Sequence, residues 1–175
     1  MIRRLHAPLA FLVVVVTTNA LTTSLGVVGW LGVSVTAGTW LAGFAFIARD
    51  ATQDALGPRW VVGCILAGAL VSAAFSPQLA LASAAAFLVS ELADFAVYTP
   101  LRRSGRTRAA LASNLAGSVV DSALFLLIAG FPVSLVWAQV GIKFGVTTLF
   151  VLTGRGLALL RQPGVLAGGG GNAAG

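Results

Sequence analysis

The amino-acid sequence predicts an all-α integral membrane protein with six transmembrane helices. The first observation behind this prediction is composition: 58% of the 175 residues are hydrophobic and only 9% are charged, whereas a soluble domain is about 25% charged. The second observation is that the apolar residues are gathered into six segments. A soluble fold of this length could not bury so much apolar surface, so lipid is the expected solvent for most of it.

The six apolar segments follow one another with short connections. Their approximate bounds are residues 8–27, 34–48, 60–75, 78–98, 109–130 and 135–160. A full crossing of the bilayer needs about 20 residues. Because the second and third segments are shorter than that, we expect them either to cross with little tilt or to be partly re-entrant.

The connections place the arginines on one side of a six-span protein. The turns at residues 75–78 and 131–134 are uncharged, and residues 26–33 contain three glycines and are interpreted as a loop or irregular segment. The other connections and the chain ends carry Arg3, Arg4, Arg49, Arg59, Arg102, Arg103, Arg106, Arg108, Arg155 and Arg161. Since positively charged loops stay in the cytoplasm, both termini are predicted to be cytoplasmic.

A single transmembrane domain is predicted over residues 1–161, followed by a Gly/Ala-rich tail at residues 162–175 that we expect to be disordered. The N-terminus resembles a signal peptide, but we expect the first segment to be retained because the arginine distribution requires it. The sequence contains one cysteine, Cys64, which excludes a disulfide within the chain. The formal net charge of +6 is not gathered into a basic patch, so nucleic acid is not an expected partner.

Three charged residues, Glu91, Asp121 and Lys143, lie deep inside the apolar segments, away from the arginine-rich ends where Asp94 and Arg155 lie. A charge near the bilayer centre costs roughly 2.5–3.5 kcal/mol, so such residues usually pair or meet a ligand. Asp121 and Lys143 are each about nine residues from the turn that joins their segments, which places both at a depth of roughly 13 Å. Asn19 lies at a similar depth in the first segment. The sequence therefore predicts one polar pocket at this level.

Helical spacing adds polar stripes on four segments that can face this pocket. The stripes comprise Asn19 and Thr23; Ser83, Phe87, Ser90 and Asp94, with Glu91 beside them; Asn114, Ser118, Asp121, Ser122 and Phe125; and Gln139, Lys143 and Thr147. Two plainer interpretations stay open. Serine, threonine and asparagine often serve only to join membrane helices, and Asp121 with Lys143 can form a purely structural ion pair.

The acidic residues near the arginine-rich side are candidates for a gate or for simple ion pairs. Asp94 can pair with Arg102 or with Arg103, or it can belong to the pocket. Asp50 can pair with the neighbouring Arg49, and Asp54 with Arg59. The sequence leaves these alternatives open.

Four segments resemble the integral-membrane queuosine-precursor transporters, the vitamin-uptake-transporter-like (VUT) family. They are residues 17–21 (TTNAL), 43–50 (GFAFIARD), 82–94 (ASAAAFLVSELAD) continuing to 98–102 (YTPLR), and 113–125 (SNLAGSVVDSALF). Lys143 matches the lysine that the family has in its last span. Arg49 stands where a neutral residue is expected, and the loops are shorter than in many members.

The resemblance implies a six-helix protein similar to the substrate-binding subunits of energy-coupling-factor importers. The implied substrate is 7-cyano-7-deazaguanine or 7-aminomethyl-7-deazaguanine. A carboxylate can accept both N–H groups of a guanine-like edge, and a lysine or an amide can donate to its carbonyl. Aromatic rings can stack on the flat heterocycle. The predicted substrate-binding residues are Asn19, Trp40, Phe87, Glu91, Asn114, Ser118, Asp121 and Lys143, and the candidate gating or ion-pair residues are Asp50, Asp94 and Arg102.

An enzyme is not predicted. The one histidine, His6, lies outside the apolar segments, and the sequence has no GxSxG elbow and no Walker loop. No cofactor or metal is expected, and any ATP coupling must come from a separate ATPase module. The expected location is the cytoplasmic (inner) membrane, as a monomer or homo-oligomer. The alternatives are a substrate-binding subunit for another vitamin-like heterocycle and a structural membrane subunit.

Overall fold

The computed structural model describes residues 5–30 and 32–160, which form six helices and one β-hairpin. The helices are α1 (His6–Leu25), α2 (Thr39–Leu56), α3 (Pro58–Ala73), α4 (Pro77–Leu101), α5 (Arg106–Ala129) and α6 (Val136–Leu160). Short 3₁₀ turns, Arg102–Ser104 and Val133–Leu135, lie before α5 and α6. The predicted tail at residues 162–175 lies outside the described residues.

Four stretches are long and apolar enough to cross a bilayer: His6–Leu25, Pro77–Leu101, Arg108–Ala129 and Val133–Phe150. They make the chain a multi-pass membrane protein. Helix α3 is apolar but has only 16 residues, and α2 carries three charged side chains within its 18 residues. Many large apolar side chains on the outer faces of the helices are exposed, such as Leu70 and Trp137, as expected for a surface solvated by lipid.

The segment interpreted as a loop between the first two spans forms an antiparallel hairpin. Its strands are β1 (Val27–Trp30) and β2 (Val33–Thr36), paired with Val27 opposite Thr36. Valine and threonine favour extended backbone, and Gly32 supplies a positive φ of 79° in the turn. The prediction of an all-α fold was therefore incomplete at this point, and helix α2 begins at Thr39 rather than near residue 34.

The hairpin lies at the end of the bundle where α1 ends and α2 begins, which we call the hairpin end. The backbone N–H of Gly38 donates to Thr22 Oγ1 over 3.0 Å and so ties the start of α2 to α1. The turn after α3 and the turn after α5 also lie at this end. They are close to each other, because Gln78 Nε2 donates to the carbonyls of Ile128 and Ala129. We call the other end, with the loops at Gly57 and Gly105, the opposite end.

Two apolar clusters hold the helices together. The larger one joins α1, α2, α3 and α4 and contains Phe11, Phe46, Cys64, Ile65 and Phe87. The smaller one packs Leu126 of α5 against Val136 and Val140 of α6. Helix α2 also approaches α6 closely, since a Cβ added at Gly43 would lie 2.7 Å from Val146 Cβ.

Candidate functional site

A buried ion pair joins α5 and α6. Lys143 Nζ lies 2.6 Å from Asp121 Oδ2 and also donates to Ser122 Oγ over 3.0 Å. Asp121 is 7% exposed and Lys143 is 3% exposed. The two residues lie at equal depth because their antiparallel helices are joined by a tight turn, in which Gly130 adopts a left-handed φ of 78°. The estimate of depth from the sequence predicted this juxtaposition.

The ion pair lies on the wall of an open cavity. Its volume is about 450 Å³ when the solvent-filled space at its mouth is included. The wall is made by α1, β2, α2, α4, α5 and α6. Its lining residues are Val15, Thr18, Asn19, Thr22, Thr36, Thr39, Ala42, Ala45, Ser83, Phe87, Asp121, Phe125, Gln139 and Lys143. The wall therefore combines one carboxylate, one ammonium group, two amides, several hydroxyls and two aromatic rings. Such a wall suits a small, polar, ring-containing ligand without net charge.

Four of the eight predicted substrate-binding residues line this cavity: Asn19, Phe87, Asp121 and Lys143. Asn19 is held in place by its amide, because Nδ2 donates to Ser72 Oγ of α3 over 3.0 Å. Phe87 projects from α4, where its ring stacks on that of Phe46. The polar stripes predicted from helical spacing thus contain cavity residues from four different helices.

The other four predicted residues lie away from the cavity wall. Trp40 is on the first turn of α2, next to the cavity residue Thr39. Asn114 and Ser118 are buried on α5, one to two turns from Asp121 toward the opposite end, and Asn114 Oδ1 and Ser118 Oγ have no hydrogen-bond partner among the described residues. They share the polar stripe with Asp121, but the stripe extends beyond the cavity.

Glu91 is the fourth of these residues, and the structure corrects its predicted place. Its carboxylate pairs with Arg49 of α2 instead of facing the cavity with Asp121. Arg49 is also paired with Asp50, with Nη2 2.6 Å from Asp50 Oδ1. The guanidinium lies over the ring of Phe46, 5.6 Å from its centroid. Arg49, Asp50, Glu91 and Phe46 form a set that we call the Arg49 cluster.

The Arg49 cluster accounts for one of the alternatives that the sequence left open. Asp50 pairs with its neighbour Arg49, and Arg49, where a neutral residue is expected from the resemblance, is the partner that neutralises Glu91. Asp94 lies about one turn beyond Glu91 on α4, within electrostatic range of Arg49. The side chain of Arg102 lies outside the described part of the structure.

Several cavity residues were missed by the prediction of the site. Gln139 Nε2 donates to Thr36 Oγ1 over 3.1 Å, and the Thr36 and Thr39 hydroxyls are 2.9 Å apart. Gln139 was visible as part of the stripe that contains Lys143, at the spacing of one helical turn. Thr36 could not be found in this way, because it lay at the start of the second predicted apolar segment, residues 34–48, and belonged to none of the polar stripes. In residues 5–30 and 32–160, no group of three His, Cys, Asp or Glu side chains could hold a metal ion.

Residues 71–154, just under half of the chain, match the model of a family described as "Putative vitamin uptake transporter". The matched stretch runs from the end of α3 into α6 and includes Glu91, Asp94, Asp121, Gln139 and Lys143. No curated protein and no solved structure matches the chain. In its second half, therefore, this multi-pass membrane protein is similar to vitamin uptake transporters.

Proposed function

We propose that this chain is a membrane transporter that imports a 7-deazaguanine precursor of queuosine, and that it is a member of the vitamin-uptake-transporter-like family. The observation that carries the proposal is the buried pair of Asp121 and Lys143 on the wall of a cavity that also presents the amides of Asn19 and Gln139. A buried ion pair is costly to retain if it only joins two helices, so a role toward a ligand is favoured.

The pair suits a guanine-like ligand chemically. In the empty site Lys143 neutralises Asp121. On binding, the carboxylate accepts two parallel N–H groups from the ligand, while the ammonium group donates to the ligand carbonyl. Phe87 and Phe125, on the cavity wall, provide ring surfaces for the flat heterocycle. A neutral ligand leaves the sum of charges in the cavity unchanged, so neither Asp121 nor Lys143 is left as an isolated buried charge.

Two likenesses, both to the vitamin-uptake-transporter-like family, support transport of a vitamin-like compound. The family model covers residues 71–154, and the queuosine-precursor transporters resemble this chain in segments on both sides of residue 71. The match names vitamin uptake in general, and the 7-deazaguanine is the finer step of the proposal. The sequence contains no Walker loop, so if uptake uses ATP, the hydrolysis belongs to a separate ATPase module.

In the proposed topology all six helices cross the cytoplasmic membrane and both termini face the cytoplasm. The hairpin end is then outside and the opposite end inside, which follows the positive-inside rule. Single cysteines placed at Gly57 or Ser104 in a Cys64→Ala background should react only with a membrane-permeant thiol reagent. A cysteine at Ser76 should react with an impermeant reagent on intact cells. The reverse pattern, or labelling of all three from outside, would contradict the topology.

Uptake of labelled 7-cyano-7-deazaguanine tests the function, in cells that lack their own transporter. Wild type should give saturable uptake, and Asp121→Asn should abolish it while the protein still accumulates in the membrane. Thr148→Val is a matched control on α6, because Thr148 does not line the cavity, and its uptake should equal that of wild type. Uptake that is unchanged in Asp121→Asn would sink the assignment of the site. Wild-type protein that accumulates but takes up no deazapurine would remove the proposed substrate and favour another vitamin-like heterocycle.

A further inference from the structure

Gln139 presents a buried amide oxygen without a partner at the cavity wall. The side chain is fully buried, and Nε2 donates to Thr36 Oγ1 over 3.1 Å. Oε1 accepts no hydrogen bond from any of the described residues. A buried acceptor left in this condition destabilises the folded protein, so it usually has an explanation such as a ligand.

In the structure the amide of Gln139 is oriented with Nε2 toward Thr36, which leaves Oε1 as the free atom. Thr36 Oγ1 lies 2.9 Å from Thr39 Oγ1, so the two hydroxyls form a short chain that ends at Nε2 of Gln139. Gln139 precedes Lys143 by four residues on the same face of α6, a rise of about 6 Å. An acceptor and the ion pair thus lie one helical turn apart along the same cavity.

We infer that Gln139 determines specificity by accepting an N–H group of the ligand at Oε1. This inference rests on the proposed function and deepens it. The ligand it selects is a planar heterocycle with a polar edge at Asp121 and Lys143 and a further N–H donor about one helical turn away. An analogue without that donor leaves Oε1 buried and unpaired, so the site rejects it.

Equilibrium binding to the purified full chain in lipid nanodiscs tests this role. The ligands are 7-cyano-7-deazaguanine and its N9-methylated analogue, since N9–H is the ring donor that lies away from the edge assigned to Asp121. Wild type should bind the analogue at least about tenfold more weakly than the parent compound. Gln139→Met, which keeps the length of the side chain, should bind the parent about tenfold more weakly and should lose the discrimination against that analogue.

Two further variants keep the test decisive. Thr36→Val keeps a residue that favours a strand but removes the acceptor of Gln139 Nε2, so it should also weaken the discrimination. It provides the test if Gln139→Met does not fold. Thr148→Val removes a buried hydroxyl on the same helix that likewise has no partner among the described residues but lies off the cavity wall, and it should behave as wild type. If Gln139→Met or Thr36→Val discriminates between the parent compound and the analogue as strongly as wild type does, the inference is overturned and the proposed function still stands. Failure of folded wild type to bind either ligand would overturn both.

The Arg49 cluster lies between the cavity and the opposite end, and it supports a second inference independently. Phe87 lines the cavity, its ring stacks on Phe46 with centroids 5.3 Å apart, and the Arg49 guanidinium lies 5.6 Å from the centroid of the Phe46 ring. Glu91 follows Phe87 by one turn and pairs with Arg49. From the cavity outward, the ring of Phe87 therefore comes first, the ring of Phe46 second, and the ion pair of Arg49 with Glu91 third.

Helices α2 and α4 meet mainly through these side chains. The backbones of α2 and α4 come close at very few points. In contrast, α4 packs closely along α5, and α2 packs closely along α1 and α6. Separation of the two helices would break one stacked ring pair and one ion pair, and it would take the two rings out of the larger apolar cluster, but it would not open a close backbone contact. Contact between α2 and α4 at this level therefore depends on side chains, which suits a movable closure.

We propose that the Arg49 cluster is the inner gate, which closes the path from the cavity to the opposite end. Reconstituted protein should separate gating from binding. Glu91→Gln weakens the ion pair that closes the gate, so it should keep the affinity for 7-cyano-7-deazaguanine within about threefold of wild type but raise the rate of ligand exchange across the liposome membrane by about tenfold. The charge reversal Arg49→Glu with Glu91→Arg should bring the rate back toward wild type. Exchange at or below the wild-type rate in Glu91→Gln, or a change in affinity as large as the change in exchange rate, would overturn the gate.

Discussion

Simultaneous replacement of Asp121 and Lys143 by apolar residues separates their contribution to folding from their contribution to function. Both side chains are nearly fully buried, and they are paired at 2.6 Å. Removal of one partner leaves an isolated buried charge, which costs about 3–5 kcal/mol in the free energy of unfolding. Lys143→Met also removes the bond to Ser122 Oγ, worth about 0.6 kcal/mol in a membrane helix. Each single variant, Asp121→Leu or Lys143→Met, should therefore be strongly destabilised.

The double variant Asp121→Leu with Lys143→Met should be much closer to wild type in stability than either single variant. The reason is that apolar residues of similar volume replace a buried ion pair with little or no net cost. Denaturant-induced unfolding in mixed micelles, followed by tryptophan fluorescence, gives the three free-energy differences. The coupling between the two sites should be at least about 3 kcal/mol.

Uptake measured on the same variants decides between the two roles of the pair. If the pair binds ligand, the double variant should regain stability but take up no 7-cyano-7-deazaguanine. If the pair only joins α5 to α6, the double variant should regain both. Free-energy differences that simply add, with no coupling, would refute the placement of Asp121 and Lys143 in contact.

Two further predictions concern α1 and the start of α2. Ser72→Ala removes the bond from Asn19 Nδ2, so it should lower the free energy of unfolding by only about 0.6 kcal/mol. Asn19→Ala should also reduce uptake. Equal uptake in these two variants would contradict a ligand contact at Asn19. Gly38→Ala should destabilise by about 1–3 kcal/mol, because its Cβ would lie 2.6 Å from Thr22 Oγ1. Gly63→Ala, whose Cβ meets nothing within 4 Å, should be neutral or slightly stabilising in thermal unfolding, and equal midpoints for the two glycine variants would show that α2 does not begin against α1.

The sequence predicts well those features that depend on length along a helix. The predicted segments 78–98 and 109–130 correspond to Pro77–Leu101 and Arg106–Ala129, because apolar runs between turns leave little freedom. Asp121 and Lys143 were expected at the same depth because both were counted from one turn, and a count along a single helix is not affected by how other helices pack.

The features that the sequence did not predict depend on contacts between distant residues. Glu91 was placed with Asp121 because both are acidic residues in apolar segments, but its helix turns it toward Arg49 of α2. The hairpin was missed because short strands rich in valine and glycine give no helical periodicity and little alternation. As a result Thr36, which lines the cavity from β2, was missed with it.

The importance of Gln139 is also a property of the folded chain. Its spacing from Lys143 was visible in the sequence, but a glutamine in a membrane helix can equally join two helices. Only the fold shows that its amide nitrogen is used by Thr36 and that its oxygen has no partner among the described residues.

An experimental structure of the purified chain bound to 7-cyano-7-deazaguanine tests the central claim most directly. The account predicts that the ring lies in the cavity between α1, α4, α5 and α6, within hydrogen-bond distance of Asp121, with Lys143 turned toward the ligand carbonyl. A ligand found elsewhere, for example at the Arg49 cluster, or a bound state in which Asp121 and Lys143 remain paired and do not contact the ligand, would contradict it.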